Sequence, residues 1–337
     1  MKQKRLLSLV AISILIAVLV ALPLAGICAD QTSGPIKFRL AHGRATNHIT
    51  GRAVEKFKEF VQTASSGRLQ IDIFPDAQLY DDQKAPGAIA GDYIQMACTS
   101  NVVLTGWVPG WDILSMPFLF KSDQQFNEFT KTDAWQRLLR DTEAKKLKVV
   151  SFWPGGSVFF WNRTKQINSI GDFRGIKTRV LESPIHKDII GGVGANPIVI
   201  SGPEVYTALQ QGMIDGVFTT VDTHYTLKWF EYTKYGLVNP ILMVGTGILI
   251  SQRAWTALPP DLQKVIMEQG RKTSDWETPE ITKQTNEFLK TIEAKGVSLN
   301  ELSPSAFMEV RKVVDPILEK YSDKVGRDLI NAAKAMK

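Results

Sequence analysis

An arginine at the end of a short apolar strand is the residue of this chain best suited to bind a charged ligand. Gly175 is typical of a turn, and residues 176–180 are typical of a strand. Ser183 and Pro184 then have the types expected at the N-cap and first position of a helix. Arg179 therefore lies at the carboxyl end of a strand, where open α/β sheets bind ligands, and its planar guanidinium suits bidentate capture of a carboxylate. The alternative interpretation is a surface arginine that pairs with a neighbouring acid.

Polar side chains that follow two other predicted strands are further candidates for contact with a ligand. His42, Arg44 and Asn47 come after the first strand, and Ser100 comes after a later one. Loops at the carboxyl ends of strands line the cleft of such a sheet, so we predict that His42, Asn47 and Ser100 contact the ligand. Helix capping or exposure to solvent is the alternative for the loop residues. His42 and His48 are separated by six positions but have no acidic residue nearby, so no metal site is predicted.

Large aromatic side chains supply apolar contact area at little entropic cost. Four of them at predicted cleft positions are candidate ligand contacts: Trp153, Phe159, Trp161 and Phe218. Alternation along a strand puts Phe159 and Trp161 on one face and Val158 and Phe160 on the other. Only one of these two pairs can therefore face the ligand.

Motifs of catalysis are missing from the sequence. None of the four histidines begins an H-E-x-x-H motif, and no G-x-S-x-G motif occurs. A hydrolase or lyase would have to use Asp215, Asp222 and His224, which form the one close group of acids and histidine. We therefore predict a protein that is not an enzyme and has no cofactor, with an enzyme on an α/β scaffold as the alternative class.

Three segments in the middle of the chain carry a recognisable pattern. They read GIKTR at 175–179, GANP at 194–197 and EVYTALQQGMIDG at 204–216. This pattern resembles the central segment of the DctP-type solute-binding proteins of TRAP (tripartite ATP-independent periplasmic) transporters. Further positions match the family in the same order: FP at 74–75 with QL at 78–79, PFLF at 117–120, and Trp255 with LPPD at 258–261. The similarity covers nearly all of the chain after its N-terminal segment.

The resemblance implies a two-lobed periplasmic binding protein that delivers its ligand to small and large membrane permease subunits. It also implies that Arg179 forms a salt bridge with the ligand carboxylate, and that Asp215 belongs to a structural turn. Two positions depart from the family. Many relatives have a second arginine where this chain has Val158 or Phe159, and an asparagine where it has Thr219.

These departures remove one positive charge and add apolar surface to the site. We therefore predict a monocarboxylate ligand with a hydrophobic or aromatic body, contacted by Arg179 and Thr219. The alternative ligand is a C4-dicarboxylate, a 2-oxo acid or a sulfonate, with Arg44 or His42 replacing the missing arginine.

Short apolar strands alternate with helical stretches along the chain, which is typical of an α/β fold. Strands are predicted at 36–41, 69–74, 93–98, 148–153, 157–162, 176–180, 197–200, 214–219 and 240–251. Helices are predicted at 50–64, 82–90, 123–146, 184–191, 203–211 and 260–295, the last interrupted by Pro279, and two more after Ser305. A proline in that position is expected to kink or split the long helix, which in the family lies across both lobes.

Two lobes are expected because about 300 residues exceed what one core usually serves. We assign residues 30–155 plus about 245–280 to lobe I, and residues 156–244 plus about 281–337 to lobe II. The glycine-rich segments 154–156 and 245–247 are the candidate hinges between them, with plain turns as the alternative.

The N-terminus has the features of a secretory signal. Three basic residues precede an uncharged apolar stretch from Leu6 to about Leu24, and cleavage is predicted after Ala29. Loss of residues 1–29 lowers the net charge from +6 to +3, because the segment holds three basic and no acidic side chains. The predicted location is the periplasm, with lipidation at Cys28 or an uncleaved anchor as alternatives. The remaining charges form no long block of one sign, so no nucleic-acid partner is predicted.

Overall fold

The computed structural model of the chain describes residues 34–336. The predicted signal peptide at 1–29 lies outside the described residues. The chain divides into two units, residues 1–36 and 37–337, and of the first unit only 34–36 are described. The second unit is a mixed α/β structure built on one sheet. Among residues 34–336, no helix combines the length and apolarity needed to cross a bilayer.

The sheet contains strands from both predicted lobes. Its members are β1 (Ile36–His42), β2 (Leu69–Phe74), β3 (Met96–Ser100), β4 (Leu147–Asn162), β5 (Lys177–Val180), β6 (Asn196–Val199), β7 (Gly216–Thr220), β8 (Tyr235–Ser251) and β9 (Ser298–Asn300). The order is β2-β1-β3-β8-β4-β7-β5-β6, and β9 pairs with β8. Thus β1–β3 belong to predicted lobe I, β5–β7 belong to predicted lobe II, and the long central strands β4 and β8 run through both.

Twelve helices pack around the sheet in the described part of the chain. They are α1 (Ile49–Ala64), α2 (Ala85–Ala90), α3 (Asn101–Leu104), α4 (Asp123–Phe129), α5 (Asp133–Glu143), α6 (Pro184–Gly192), α7 (Gly202–Gln210), α8 (Val221–Thr226), α9 (Gln252–Ala257), α10 (Pro260–Ala294), α11 (Pro304–Val325) and α12 (Arg327–Ala335). Short 3-10 helices occupy 109–115, 170–173 and 229–231. The α/β prediction is confirmed, and most predicted elements start and end within a few residues of the observed ones.

Three predicted elements differ from the structure. The two strands expected at 148–153 and 157–162 form the single strand β4, and the single helix expected at 123–146 is divided into α4 and α5. The division occurs because the side chain of Thr132 accepts a hydrogen bond from Trp135 N and caps a new helix.

The long helix α10 stays a single helix of 35 residues although Pro279 lies inside it. The expected split at this proline is therefore wrong. Helix α10 packs on α1 and β4 and also on α8, so it contacts elements of both predicted lobes. A proline removes only one backbone N–H donor from the helix, and this packing holds the turns on either side of it.

The two predicted hinge segments lie directly opposite each other in the β4–β8 ladder. Trp153 pairs with Thr246 and Pro154 pairs with Gly245, and the register shifts between Pro154 and Ser157. A Cβ atom on Gly245 would lie 2.3 Å from the ring of Phe152, so this position has no room for a side chain. The role of these segments as hinges, and the predicted lobe boundaries, stay predictions.

Candidate functional site

A small cavity of about 50 Å³ lies between the two lobes, near the carboxyl ends of β3, β5 and β7. Its apolar walls come from both halves of the molecule: Val158, Leu181, Phe218, Trp229 and Val244. Its polar lining includes two arginines, two histidines and several hydroxyl groups. This combination of a mostly apolar enclosure and a few polar groups is typical of a ligand site.

Arg179 lines the cavity as a buried cation, with 3% of its surface exposed. Its Nε donates a hydrogen bond to the carbonyl oxygen of Ile200 at 2.9 Å, and its guanidinium lies 5.5 Å from the ring centre of Trp229. Within residues 34–336, no carboxylate lies within ion-pair distance of this guanidinium. Arg179 is therefore not a surface arginine paired with an acid, and it can bind an anion in the cavity.

The local sequence explains how Arg179 reaches this place. Gly175 has a φ of 78°, which suits the turn that begins the strand. Strand β5 then runs between β6 and β7, where Arg179 pairs with Ile198 and Val217. Ser183 caps α6 by accepting a hydrogen bond from the backbone N–H of its first turn. The predicted succession of turn, strand and capped helix is confirmed.

Arg179 stays charged at neutral pH although its surroundings disfavour the charge. Burial lowers the pKa of Arg179 to about 9, and the nearby positive charge of Arg44 acts in the same direction. Arg44 also lines the cavity, but its Nη2 lies 3.1 Å from Oδ2 of Asp82. The other carboxylate oxygen of Asp82 accepts a hydrogen bond from Gly43 N at 3.2 Å. Asp82 therefore offsets the charge of Arg44 and holds the loop after β1.

A histidine in the first turn of α6 also faces the cavity. His186 is buried, and its ring lies edge-on to Phe218 with 5.6 Å between the ring centres. Neither ring nitrogen has a hydrogen-bond partner among the described residues. Burial and the charge of Arg179 lower the pKa of His186 to about 3, so its imidazole is neutral at pH 7.

The structure brings together four of the residues predicted to bind the ligand. Those lining the cavity are Ser100, Arg179, Phe218 and Thr219. The other five lie outside it: His42, Asn47, Trp153, Phe159 and Trp161. Contact of any of these nine residues with a ligand stays a prediction.

Packing explains the positions of the five outer residues. Phe159 and Trp161 share a face as expected, but that face belongs to the hydrophobic core, where Trp161 Nε1 donates to the carbonyl oxygen of Thr219 at 3.2 Å. Val158, on the opposite face, lines the cavity instead. His42 is buried and accepts a hydrogen bond from Arg44 N through Nδ1. Asn47 is exposed to solvent.

Most of the lining residues were not predicted as ligand contacts, among them His186, Trp229 and Val244. His186 lies in the first turn of the helix that follows the Arg179 strand. Its spacing from Arg179 in the sequence could therefore have identified it as a candidate ligand contact. Trp229 and Val244 come from segments far along the chain, and no local pattern marks them.

The residues considered as possible catalytic groups form contacts that hold neighbouring elements of the fold together. Asp215 Oδ2 accepts a hydrogen bond from Lys177 N at 3.0 Å and so joins the starts of β5 and β7. His224 is buried, stacks on Trp161 at 4.0 Å and lies 2.6 Å from Thr233 Oγ1. In the part of the chain that the structure describes, no group of three or more histidine, cysteine or acidic side chains is arranged to hold a metal ion.

A family model and an individual relative both place the chain in the same family. Residues 40–324 match the DctP family, described as bacterial extracellular solute-binding protein, family 7. The C4-dicarboxylate-binding periplasmic protein DctP of Rhodobacter capsulatus is 24% identical over 303 residues, which cover 89% of this chain and 91% of that protein.

Solved structures share the whole fold. A TRAP periplasmic solute-binding protein from Shewanella oneidensis with bound succinate has a TM-score of 0.85 and 27% identity, covering 90% of this chain and 99% of its own. The Bordetella pertussis extracytoplasmic solute receptor DctP7, solved with pyroglutamic acid, has a TM-score of 0.83 and 20% identity, covering 89% and 99%. The two-lobed fold with a ligand cleft is therefore confirmed.

Proposed function

Because the chain belongs to family 7 of the bacterial extracellular solute-binding proteins, the DctP family, we propose that it captures a small organic acid in the periplasm. It delivers the acid unchanged to the small and large membrane subunits of a TRAP transporter. The observation that carries this proposal is the buried guanidinium of Arg179, which lines the cavity and has no carboxylate partner among residues 34–336. A ligand carboxylate would supply that partner.

The charges around the cavity favour a ligand with one carboxylate. The positive charge of Arg179 has no carboxylate partner among residues 34–336. The charge of Arg44, in contrast, is offset by Asp82 at 3.1 Å. His186 is neutral at pH 7, because burial and the charge of Arg179 lower its pKa to about 3. Of the two arginines that line the cavity, only Arg179 has no carboxylate partner among residues 34–336, and this favours a monoanion.

The walls and size of the cavity favour a compact hydrophobic body. Val158 occupies the position where many relatives are expected to have a second arginine, and Leu181 and Val244 complete an apolar wall. A water molecule needs roughly 10–15 Å³ of such space, so a cavity of about 50 Å³ accommodates only a few heavy atoms. An acid with a short aliphatic body therefore fits this closed arrangement better than one with an aromatic ring.

A second candidate is a C4-dicarboxylate, a 2-oxo acid or a sulfonate. The observation in its favour is that Arg44 lines the same cavity as Arg179. If Arg44 left Asp82, two guanidinium groups would face the ligand. The Shewanella oneidensis protein, with bound succinate, is an example of dicarboxylate binding on this fold.

Calorimetry with the purified protein tests the function. The panel contains short aliphatic monocarboxylates, succinate, 2-oxo acids and a sulfonate, and mass spectrometry checks that the bound acid is recovered unchanged. Arg179→Ala is expected to weaken binding by about 3–5 kcal/mol, more than about a hundredfold in Kd, because a buried carboxylate would lose its partner.

Arg253→Ala is the matched control, because Arg253 is exposed on α9. Unchanged binding by the Arg179 variant would contradict the proposed anchor. Tight binding of succinate with no binding of monocarboxylates would contradict the monocarboxylate proposal and support the second candidate. Conversion of the bound acid would indicate an enzyme.

A further inference from the structure

His186 is a buried side chain of the cavity whose hydrogen-bonding capacity is unused by the protein. Its side chain is 1% exposed, and both Nδ1 and Nε2 lack a hydrogen-bond partner among residues 34–336. Buried polar groups in folded proteins are nearly always hydrogen-bonded, since an unpaired one costs free energy. Two such atoms at the edge of a ligand site therefore indicate a partner on the ligand.

The backbone directs His186 and Arg179 toward the same region. Arg179 is the third residue of β5, and His186 is the third residue of α6, which follows after a short turn. Ser183 Oγ accepts the backbone N–H of His186 at 3.3 Å and fixes the first turn of the helix. The imidazole is near enough to Arg179 that the positive charge of the guanidinium contributes to lowering the pKa of His186.

A neutral imidazole offers one N–H donor and one acceptor nitrogen. A carboxylate bound to Arg179 would place the neighbouring carbon of the ligand toward this ring. A hydroxyl oxygen on that carbon can accept from the N–H or donate to the other nitrogen, and an oxo oxygen can accept from the N–H. An unsubstituted methylene leaves both ring nitrogens unpaired.

We propose that His186 selects acids that carry a hydroxyl or oxo oxygen on the carbon next to the carboxylate. This inference rests on the proposed function, because it assumes that Arg179 holds the carboxylate. It makes His186 a specificity-determining residue and narrows the ligand to small 2-hydroxy or 2-oxo monocarboxylates.

Calorimetry with matched acids tests this selection. One series is propanoate, lactate and pyruvate, and a second is butanoate with its 2-hydroxy and 2-oxo derivatives. The wild-type protein is expected to bind at least one substituted acid of a series about tenfold or more tightly than the unsubstituted acid. His186→Phe, which keeps a ring of similar size, is expected to abolish that preference, so that the Kd values of the substituted and unsubstituted acids differ by less than about twofold.

His224→Phe is the matched control, because His224 is equally buried but lies outside the cavity. It is expected to keep the preference. His186→Asn, which keeps a donor and an acceptor, is a second variant and is expected to retain part of it.

Equal binding of the three acids by the wild-type protein would overturn the role of His186, even if the Phe variant did not fold. A preference that survives in His186→Phe would also overturn it. Both outcomes leave Arg179 as the anchor. Failure of every acid in both series to bind would instead contradict the proposed capture of small acids.

Discussion

His48 Nε2 lies 2.5 Å from Oδ2 of Asp222, in a buried contact that joins the two lobes. The histidine precedes α1 in one lobe and the aspartate lies in the first turn of α8 in the other. His48 Nδ1 accepts a hydrogen bond from Thr50 N at 3.1 Å, and Nε2 also lies 3.4 Å from the hydroxyl oxygen of Thr223, in the same turn of α8 as Asp222. Because the two residues belong to different predicted lobes, separation of the lobes is expected to break this contact.

Removal of this contact is expected to weaken ligand capture without removing a predicted ligand contact. Asp222→Ala should raise Kd by about tenfold or more, because the closed form loses the close contact between this carboxylate and the His48 imidazole, whereas the open form loses only a solvated carboxylate. Calorimetry measures the affinity, and small-angle scattering measures the open fraction without ligand. Asp275→Asn, an exposed acid on α10, is the control. Equal affinities in the wild type and Asp222→Ala would contradict a role in closure.

The pair formed by Arg44 and Asp82 is expected to set the preferred charge of the ligand. Asp82→Asn removes the negative charge but keeps an oxygen that can accept the hydrogen bond from Gly43 N. Arg44 then becomes available to a second carboxylate, so the affinity for succinate relative to butanoate should rise by about tenfold. Asp72→Asn removes the same charge from an exposed position of β2. An unchanged ratio of the two Kd values in Asp82→Asn would show that Arg44 does not reach the ligand.

The close contact between Gly245 of β8 and Phe152 of β4 predicts that one added methyl group lowers the stability of the protein. Gly245→Ala would put a Cβ atom 2.3 Å from the ring of Phe152, and Trp153 O lies 3.1 Å from the same point. The free energy of unfolding is expected to fall by about 1–3 kcal/mol, because overpacking forces the ring or the strand to shift. Urea unfolding measures the change. Gly191→Ala is the control, since no atom lies within 4 Å of its added Cβ, and it should be neutral or stabilising. Equal stability of the two variants would show that the protein is loosely packed around Gly245.

A buried acid in the 3-10 helix at 109–115 predicts a measurable pH dependence. Burial raises the pKa of Asp112 from 3.8 to about 6, although a hydrogen bond from Thr105 Oγ1 opposes the shift. Between these two pKa values the native protein binds more protons than the unfolded chain, so the contribution of Asp112 to stability is present below about pH 4 and is lost as the pH rises through about 6.

Asp112→Asn should therefore increase the free energy of unfolding more at pH 7 than at pH 4, with a difference of about 2–3 kcal/mol. Asparagine keeps an acceptor for Thr105. Urea unfolding at the two pH values measures the difference, with Asp141→Asn as the exposed control. The same change at both pH values would contradict a raised pKa for Asp112.

Local patterns predicted the position of Arg179, because a turn glycine, a short strand and an N-cap are determined by neighbouring residues. Alternation also predicted that Phe159 and Trp161 share a face. It could not indicate which face meets the core, since that depends on residues brought together by the fold, such as Trp229. The offset of the Arg44 charge was equally hidden, because Asp82 lies in another segment and is joined to Arg44 only by the folded loop.

The pairing of Pro154 with Gly245 has a mechanical consequence. Two of the three places where the chain passes between the predicted lobes lie in neighbouring strands of one hydrogen-bonded ribbon, so these two cannot move independently, and the third lies within α10. A ribbon bends more easily across its face than within its plane, and the lobes should therefore separate along one direction. The ligand would enter and leave along a single path, and substitutions that stiffen the ribbon would slow both steps together.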